Sequence, residues 1–255
     1  MKKSPITAVI LTHNSCLSLE QCLSSVSFCD EIVVVDDVSH DKTAEIASKH
    51  NAKVYVRALE GNFAEQRNFA MKKASNEWLL YIDSDEQIDE PLKESIIGAV
   101  EQGNHDAYYL KRRDYWWGKE LKYGEVMKVR SQGLIRLMKK NSGTWTGRVH
   151  ETFEATGSTA RLDGYINHCP HQSLREFIHE INTYSTLRAT ELQDKQVKAN
   201  LFHVLAYPLG KFIVTYILTL GFLDGAPGFA YAFLMSFHSY LVRVKLYQYR
   251  TFGKP

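Results

Sequence analysis

Apolar and polar residues alternate along the first hundred positions in a way that predicts strands and helices in turn. Short apolar runs predict strands at residues 6–11, 31–36, 54–56 and 78–82. Between and after them, apolar residues at helical spacing predict helices at residues 17–26, 42–50, 62–74 and 91–103. Alternation at this period indicates βαβ units, and therefore a mostly parallel sheet flanked by helices.

The second half of the chain is less regular. Strands at 107–110 and 134–138 flank a polar, aromatic loop, and an amphipathic helix is predicted at 174–193. Residues 212–223 then form an uncharged run of 12, the Gly- and Pro-rich stretch 224–228 breaks it, and residues 229–240 are again apolar. We therefore expect an α/β domain over residues 1–195 and an apolar helical segment over residues 196–255.

The apolar tail is short for a membrane-spanning helix, which needs about 20 apolar residues. The run reaches that length only if it includes Lys211 and Pro208. Two short apolar helices with basic flanks and many Tyr and Phe residues favour a hairpin that lies in one leaflet of a membrane. Anionic lipid would attract its basic end. A buried dimer interface and a transmembrane hairpin remain open as alternatives.

Composition and charge narrow the function. The 255 residues are 44% hydrophobic and 24% charged, as expected for a folded domain, and the net charge of +2 argues against a nucleic-acid partner. The segment from residue 201 onward carries five basic residues and one acid, so residues 1–200 carry −2. The four cysteines form no C-x-x-C pair, which indicates reduced thiols in a cytosolic protein.

Polar clusters follow three of the predicted strands: Thr12-His13-Asn14, Asp36-Asp37 and Asp83-Ser84-Asp85-Glu86. Ligands of open parallel sheets bind at the carboxyl ends of the strands, so together these clusters predict a site. Each cluster also has a purely structural interpretation. Asn14 would be a helix cap, the Asp36 pair a solvated turn, and the Asp83 cluster turn chemistry.

The D-x-D arrangement of Asp83 and Asp85 is the most specific of these features. Two carboxylates separated by one residue can both reach Mg²⁺ or Mn²⁺, which prefer oxygen ligands and substrate phosphates. The sequence contains no glycine-rich phosphate loop. The diphosphate of a bound nucleotide would therefore be held by metal, which is typical of a sugar-nucleotide transferase.

Residues 6–14, 33–43, 61–70 and 80–86 resemble the GT-A glycosyltransferases of family 2. The quartet Arg148-Val149-His150-Glu151 and the later His168 resemble the subgroup that includes lipopolysaccharide-core β-glucosyltransferases. The resemblance covers residues 5–190 and implies that residues 1–195 form a GT-A catalytic domain.

The resemblance implies roles for five donor-site residues. Thr12 and Asn14 would lie beside the nucleotide base and ribose, and Asp36 would accept from a base N–H, which favours uracil or thymine. Arg67 would pair with a carboxylate of the site or with the diphosphate, and its alternative is an exposed helix arginine. Asp83 would act through water or the ribose.

Metal and base follow from the same resemblance. Asp85 would bind the metal directly, and His168 would complete the metal site. His171 is a weaker candidate, and a histidine is often only a hydrogen-bonded side chain. The usual family signature Q-x-x-R-W is absent. The subgroup resemblance implies that Glu151 lies near the acceptor and is the base, with a salt bridge to Arg148 as its alternative role.

These expectations define an inverting transferase on the cytoplasmic face of a bacterial inner membrane. It would move a hexose, with glucose as the first choice, from a UDP-sugar to a lipid-linked saccharide such as the lipopolysaccharide inner core. A polyprenyl-phosphate or capsule transferase and a catalytically silent scaffold are the rival functions, and self-association stays open. The aromatic residues Trp116 and Trp117 could bind a sugar ring, and the cations Lys111, Arg113 and Lys119 near them suit a phosphorylated or an acidic acceptor. Core and rim packing is the alternative role of these residues.

Overall fold

The computed structural model describes residues 4–149, 151–170 and 173–253. They divide into two compact units, the first comprising Met1–Arg113 and Val129–His168 and the second Asp114–Lys128 and Cys169–Pro255. This division falls at His168, whereas the boundary expected from the sequence lies after residue 195. The assignment of catalysis to residues 1–195 stays a prediction.

The first unit is built around a sheet whose first four strands are parallel in the order β3-β2-β1-β4. These strands are β1 (Ile6–Thr12), β2 (Glu31–Asp36), β3 (Lys53–Val56) and β4 (Trp78–Asp83). Helices connect them or follow them: α1 (Leu19–Ser25), α2 (Thr43–Lys49), α3 (Phe63–Lys73) and α4 (Glu90–Gln102). The predicted mixed α/β fold with a parallel sheet flanked by helices is confirmed.

Antiparallel strands extend this sheet beyond β4, in the order β8-β6-β11-β5. The strands and the helix that follow α3 and α4 up to residue 168 are β5 (Glu86–Ile88), β6 (Ala107–Trp116), β7 (Lys119–Leu121), α5 (Met127–Gln132), β8 (Leu134–Lys139), β9 (Gly143–Thr146), β10 (Thr152–Ala155) and β11 (Thr159–His168). Strand β6 is longer than its apolar pattern predicts. Its charged stretch is accommodated because Arg112 contacts Glu86, whose side chain is fully buried.

The sheet has a hydrophobic layer on each face because successive strand residues point to opposite sides. On one face Ile6, Ala8 and Ile10 belong to a cluster that includes buried residues of α1 and α4. On the other, Val9 and Val35 pack in a cluster with buried residues of α3. The two layers hold the carboxyl ends of β1, β2 and β4 in fixed register.

The second unit contains three long helices. They are α6 (Leu174–Asp194), α7 (Leu201–Phe212), which continues as a π-helical turn (Ile213–Leu218), and α8 (Gly225–Phe252), preceded by a short 3₁₀ turn (Gly221–Asp224). The break expected at 224–228 begins a few residues earlier: the π-helical turn ends at Leu218, Leu220 has φ of 60°, and α8 starts at Gly225, which has φ of 70°. Pro227 lies in the first turn of α8, where a backbone N–H has no helical partner.

The segment Leu201–Leu218 is largely exposed and apolar. It is 18 residues long with a mean hydropathy of 1.5 and is 11% buried, so it could cross a membrane by length and composition. Its most exposed side chains are Leu201, Phe202, Leu205, Leu209 and Leu218. The transmembrane, interfacial and dimer interpretations of this surface all remain predictions.

Basic residues of the tail make contacts inside the second unit. Lys211 Nζ lies 2.7 Å from Glu125 Oε1, and Lys245 Nζ donates to Asn182 Oδ1 at 2.8 Å. Arg250 donates to the backbone carbonyls of residues 196 and 197. Glu125 therefore neutralises Lys211, whereas Lys245 and Arg250 donate to neutral groups and keep their positive charge.

Candidate active site

The carboxyl ends of β1, β2 and β4 meet at one edge of the sheet. Thr12 is in register with Asp36 on β2, and Leu11 is in register with Asp83 on β4. The Thr12 hydroxyl donates to Asp36 Oδ1 at 2.9 Å. The side chains singled out at the strand ends are therefore neighbours in space.

Asp36 is a buried hydrogen-bond acceptor. Its side chain accepts from the Thr12 hydroxyl, from the Ser39 backbone N–H at 2.9 Å and from the Ser39 hydroxyl at 2.6 Å, and it is 2% exposed. The alternative of a solvated turn is therefore wrong for this residue. These bonds fix the loop after β2 against the end of β1.

Asn14 joins the loops that follow β1 and β2. Its backbone has φ of 48°, a left-handed conformation that asparagine tolerates better than most residues. Its side-chain Oδ1 accepts from the His40 backbone N–H at 2.9 Å. Helix α1 has Ser18 at its N-cap position, so the alternative of Asn14 as that helix's cap is wrong.

Asp83 is held by two buried arginines. Arg67 Nη2 donates to Asp83 Oδ1 at 2.8 Å, and Arg136 Nη2 donates to Asp83 Oδ2 at 2.7 Å. Burial raises the pKa of Asp83, but the charges and hydrogen bonds of Arg136 and Arg67 outweigh it and hold this pKa well below its usual range. Both carboxylate oxygens are thus engaged by the protein.

Arg67 lies on α3 and is 4% exposed, so the alternative of an exposed helix arginine is wrong. Its Nε donates to Glu151 Oε1 at 2.6 Å, and its guanidinium carbon lies 4.8 Å from the Trp145 ring centroid. Arg67 therefore joins Asp83 at the end of β4 to Glu151 on the segment before β10.

Glu151 has a side chain that is 12% exposed. The alternative role proposed for it was a salt bridge to Arg148, and the ion pair seen here joins it to Arg67 instead. Its neighbour His150 lies outside the described residues. The role of Glu151 as a base stays a prediction.

Asp85 and His168 lie side by side. His168 Nε2 is 3.2 Å from Asp85 Oδ2, because β11 pairs with β5 in a register that sets His168 opposite Glu86. Burial raises the pKa of Asp85, but the charge and hydrogen bond of His168 outweigh burial, so the net pKa is lowered. His171 lies outside the described residues.

The Asp85–His168 pair fits a divalent metal in its chemistry. Carboxylate oxygen and imidazole nitrogen are both ligands of Mn²⁺, whose remaining positions diphosphate and water could fill. No group of three or more His, Cys, Asp or Glu side chains that could hold a metal occurs within residues 4–149, 151–170 and 173–253.

Arg136 was missed as a site residue, and Glu86, a member of the polar cluster after β4, was given no role. Arg136 is 5% exposed and lies between apolar residues of β8, and Glu86 Oε2 accepts from the Asp83 backbone N–H at 3.0 Å. The sequence did carry a signal for Arg136, since an arginine inside a buried strand needs a carboxylate partner.

The two tryptophans that the sequence singled out differ in exposure. Trp116 is 2% exposed in the core of the second unit, and its neighbour Trp117 is 55% exposed.

A sheet edge that gathers hydroxyl, carboxylate and guanidinium groups beyond parallel strands is typical of nucleotide-binding α/β enzymes. The family profile "Glycosyl transferase family 2" matches residues 7–156, and the chain belongs to this family of glycosyltransferases. The predicted family and its GT-A fold are confirmed.

Relatives of similar length support the assignment. The lipopolysaccharide core biosynthesis glycosyltransferase LpsC of Rhizobium meliloti is 27% identical, with 96% of this chain and 93% of that protein aligned. An uncharacterised glycosyltransferase of Rickettsia prowazekii is 26% identical over 96% of this chain and 87% of its own. The structure of residues 1–349 of Staphylococcus aureus TarS in complex with UDP-GlcNAc matches in fold, with a TM-score of 0.51 and 16% sequence identity. The match covers 96% of this chain and 91% of that one.

Proposed function

We propose that this chain is an inverting glycosyltransferase that moves a hexose, with glucose as the first choice, from a UDP-sugar to a lipid-linked saccharide such as the lipopolysaccharide inner core. The observation that carries this proposal is the convergence of Asp36, Asp83 and Glu151 around Arg67 and Thr12 on a family 2 fold. The relationship to LpsC supports the acceptor class.

The donor nucleotide would bind at the ends of β1 and β2. In this proposal Thr12 and Asn14 lie beside base and ribose, and the buried Asp36 accepts from the base N–H. Hydrogen bonds from Thr12 and Ser39 orient Asp36 in advance, so little ordering is needed when the base arrives. Arg67 and Arg136 hold Asp83 ionised beside the ribose.

Asp85 and His168 would hold Mg²⁺ or Mn²⁺. When bound, the metal neutralises the negative charge that grows on the departing diphosphate. The buried Arg67 and Arg136 add positive charge to the same edge of the sheet, at Asp83.

Glu151 would act as the base. It would take the proton from the acceptor hydroxyl while that oxygen attacks C1 of the sugar and the bond from C1 to the diphosphate breaks on the opposite face. Arg67 fixes the position of this carboxylate through the bond to Oε1. One displacement inverts the configuration at C1 and produces a β-linkage.

Glu151→Gln is expected to lower kcat for transfer by about 100-fold or more, because the amide cannot accept the proton. Glu154→Gln is the matched control, since Glu154 is an exposed carboxylate on β10 that accepts a hydrogen bond from Thr146. Transfer rates are measured at saturating donor. Near-normal transfer by Glu151→Gln would show that Glu151 is not the base.

We place the protein on the cytoplasmic face of the inner membrane, held there by the exposed apolar surface of Leu201–Leu218. A surface with this much apolar area is unusual for a monomer in water. The ion pair of Lys211 with Glu125 removes one of the basic charges of the tail, which supports an attachment that is driven by apolar burial more than by charge.

The triple variant Leu201→Ser, Leu205→Ser, Leu209→Ser is expected to weaken binding to lipid vesicles by about 10-fold or more, because three exposed leucines lose their burial in lipid. Leu17→Ser, at an exposed leucine of the first unit, is the control. Sedimentation is measured with neutral and anionic vesicles. Undiminished sedimentation of the triple variant would contradict the attachment, and loss of a dimer in light scattering would favour the interface alternative.

A thermal-shift panel of nucleotide sugars, with and without Mn²⁺, tests the proposed donor. A ligand that binds only the folded state raises the melting temperature by mass action. We expect UDP-glucose with Mn²⁺ to give the largest shift. Selective stabilisation by a non-uridine donor would contradict the proposal, and no stabilisation by any donor would favour the silent scaffold. A polyprenyl-phosphate or capsule acceptor would leave the donor result unchanged and is separated by acceptor assays.

A further inference from the structure

Arg243 on α8 differs in its contacts from the other basic residues of the tail that the structure describes. Lys211 pairs with Glu125, and Lys245 and Arg250 donate hydrogen bonds to neutral oxygens. The Nε atom of Arg243 is buried and has no hydrogen-bond partner among the described residues. This guanidinium group therefore has hydrogen-bonding capacity that the described part of the chain does not use.

The guanidinium group of Arg243 stacks on the ring of Tyr207, a residue of α7. Its carbon lies 4.0 Å from the ring centroid. A hydrogen bond of 2.6 Å from the Ser236 hydroxyl on α8 to the Pro208 carbonyl joins the same two helices. All of these residues belong to the second unit. The position of Arg243 is therefore fixed by an aromatic ring on a neighbouring helix.

The charge of Arg243 is not compensated by a carboxylate within the described residues. Burial lowers the pKa of Arg243, Tyr207 opposes this effect, and the positive charge of Arg188 lowers the pKa further. Arg188 has its own partner, since its Nη1 lies 2.5 Å from Glu191 Oε2. A cation that is partly withdrawn from water and lacks a counterion gains more from an anion than a fully exposed cation does.

The Arg243–Tyr207 pair lies at the border of the exposed apolar side of α7. Val204, three positions before Tyr207, is buried, whereas Leu209, two positions after it, is exposed. Tyr207 itself is 48% exposed. A helix that lies in the plane of a membrane interface buries its apolar side, so the border of that side meets the lipid headgroups. The attachment proposed above would therefore bring Arg243 to the level of the phosphates.

We propose that Arg243 and Tyr207 form a binding site for the phosphodiester of an anionic phospholipid, so that the membrane attachment prefers such lipids. The planar guanidinium group can bind two phosphate oxygens at once, and the ring of Tyr207 holds it in place. A lipid suits this site better than a soluble phosphate, because acyl chains would cover the adjoining apolar side of α7. This inference rests on the proposed attachment and adds the class of lipid.

Sedimentation of the full chain with two kinds of vesicle tests the proposal. One kind contains phosphatidylcholine alone, and the other contains phosphatidylcholine with phosphatidylglycerol. Arg243→Gln is expected to weaken binding to the phosphatidylglycerol vesicles by about 10-fold, more than the about 5-fold that one surface charge provides. Its binding to phosphatidylcholine vesicles should not change.

Two outcomes separate this inference from the attachment on which it rests. If Arg243→Gln keeps the full preference of the unaltered chain for phosphatidylglycerol, or if the unaltered chain has no such preference, the inference is overturned and the attachment stands. If the unaltered chain binds neither kind of vesicle, the attachment itself fails, and the inference fails with it.

Further variants localise the effect. Arg243→Lys keeps the charge but loses the planar fork, so it should restore only part of the lost binding. Tyr207→Leu keeps an apolar side chain and should also lower the preference. Arg175→Gln is the matched control, because Arg175 is an exposed arginine on α6 of the same unit. Full restoration by Arg243→Lys, or an equal loss with Arg175→Gln, would mean general charge attraction and overturn the proposal.

A competition experiment separates lipid from soluble phosphate. Glycerol 1-phosphate in large excess is compared with sodium chloride at the same ionic strength, because salt alone screens charge attraction. We expect both to leave the same amount of chain on phosphatidylglycerol vesicles. Release by glycerol 1-phosphate alone would identify a site for soluble phosphate esters, which overturns the proposal.

Discussion

Asp85→Asn is expected to lower kcat/KM for sugar transfer by about 100- to 1000-fold. The substitution removes the charged ligand of the metal ion that would neutralise the departing diphosphate. His168→Ala should act more mildly, raising the Mn²⁺ concentration that gives half-maximal rate. Asp85 Oδ2 and His168 Nε2 lie 3.2 Å apart, so the two side chains would bind the same ion.

The measurement for Asp85 is UDP release over a Mn²⁺ titration. Asp194→Asn, at an exposed carboxylate that ends α6, is the control and should match the unaltered chain. Unchanged metal titration curves in both Asp85→Asn and His168→Ala would show that this pair does not hold the metal.

Arg67→Met is expected to lower the free energy of unfolding by about 3 kcal/mol. This value is at the lower end of the cost of breaking a buried ion pair. The cost is low because Asp83 keeps its ion pair with Arg136 and because the Asp83 side chain is 31% exposed. The larger part of the cost falls on Glu151, which is 12% exposed and would lose the bond to Arg67 Nε. Urea unfolding at pH 7 measures the change.

Lys93→Met is the control for this experiment. Lys93 pairs with Glu90 on an exposed helix face, and such a pair contributes only about 0.2–0.5 kcal/mol.

The native pKa of Asp83 lies below its ordinary value of 3.8. The ionised Asp83 therefore stabilises the folded chain above that pH, and this stabilisation is lost as pH falls. The gap between Arg67→Met and the unaltered chain should therefore narrow below about pH 4. Equal effects of Arg67→Met and Lys93→Met would contradict a buried charge cluster.

The parallel half of the fold was predictable because its strands are short, β-favouring apolar runs. Val33, Val34 and Val35 are fully buried, as an interior strand of a parallel sheet requires. The extension of β6 beyond Leu110 was not predictable from periodicity, because Arg112 is stabilised by Glu86, a partner distant in sequence.

The candidate site was predictable as a set of strand ends but not as a charge network. Sequence identified Asp83 and Arg67, and topology explains why Asp36 lies beside Thr12. Arg136 was missed because its role depends on the antiparallel pairing of β8 with β4. The break in the apolar tail was also misplaced by a few residues, because the π-helical turn after α7 ends at Leu218 and the left-handed backbone follows at Leu220, just before Gly221.

The central claim is that this chain breaks the sugar–diphosphate bond of a UDP-hexose with the aid of a metal. Its most direct test is UDP release from UDP-glucose, UDP-galactose and UDP-GlcNAc by the purified full chain, with Mn²⁺ or with a chelator. We predict release that requires Mn²⁺, that is fastest with UDP-glucose and that Asp85→Asn slows by about 100-fold or more. Release no faster than in the absence of protein, for every donor, would contradict the claim.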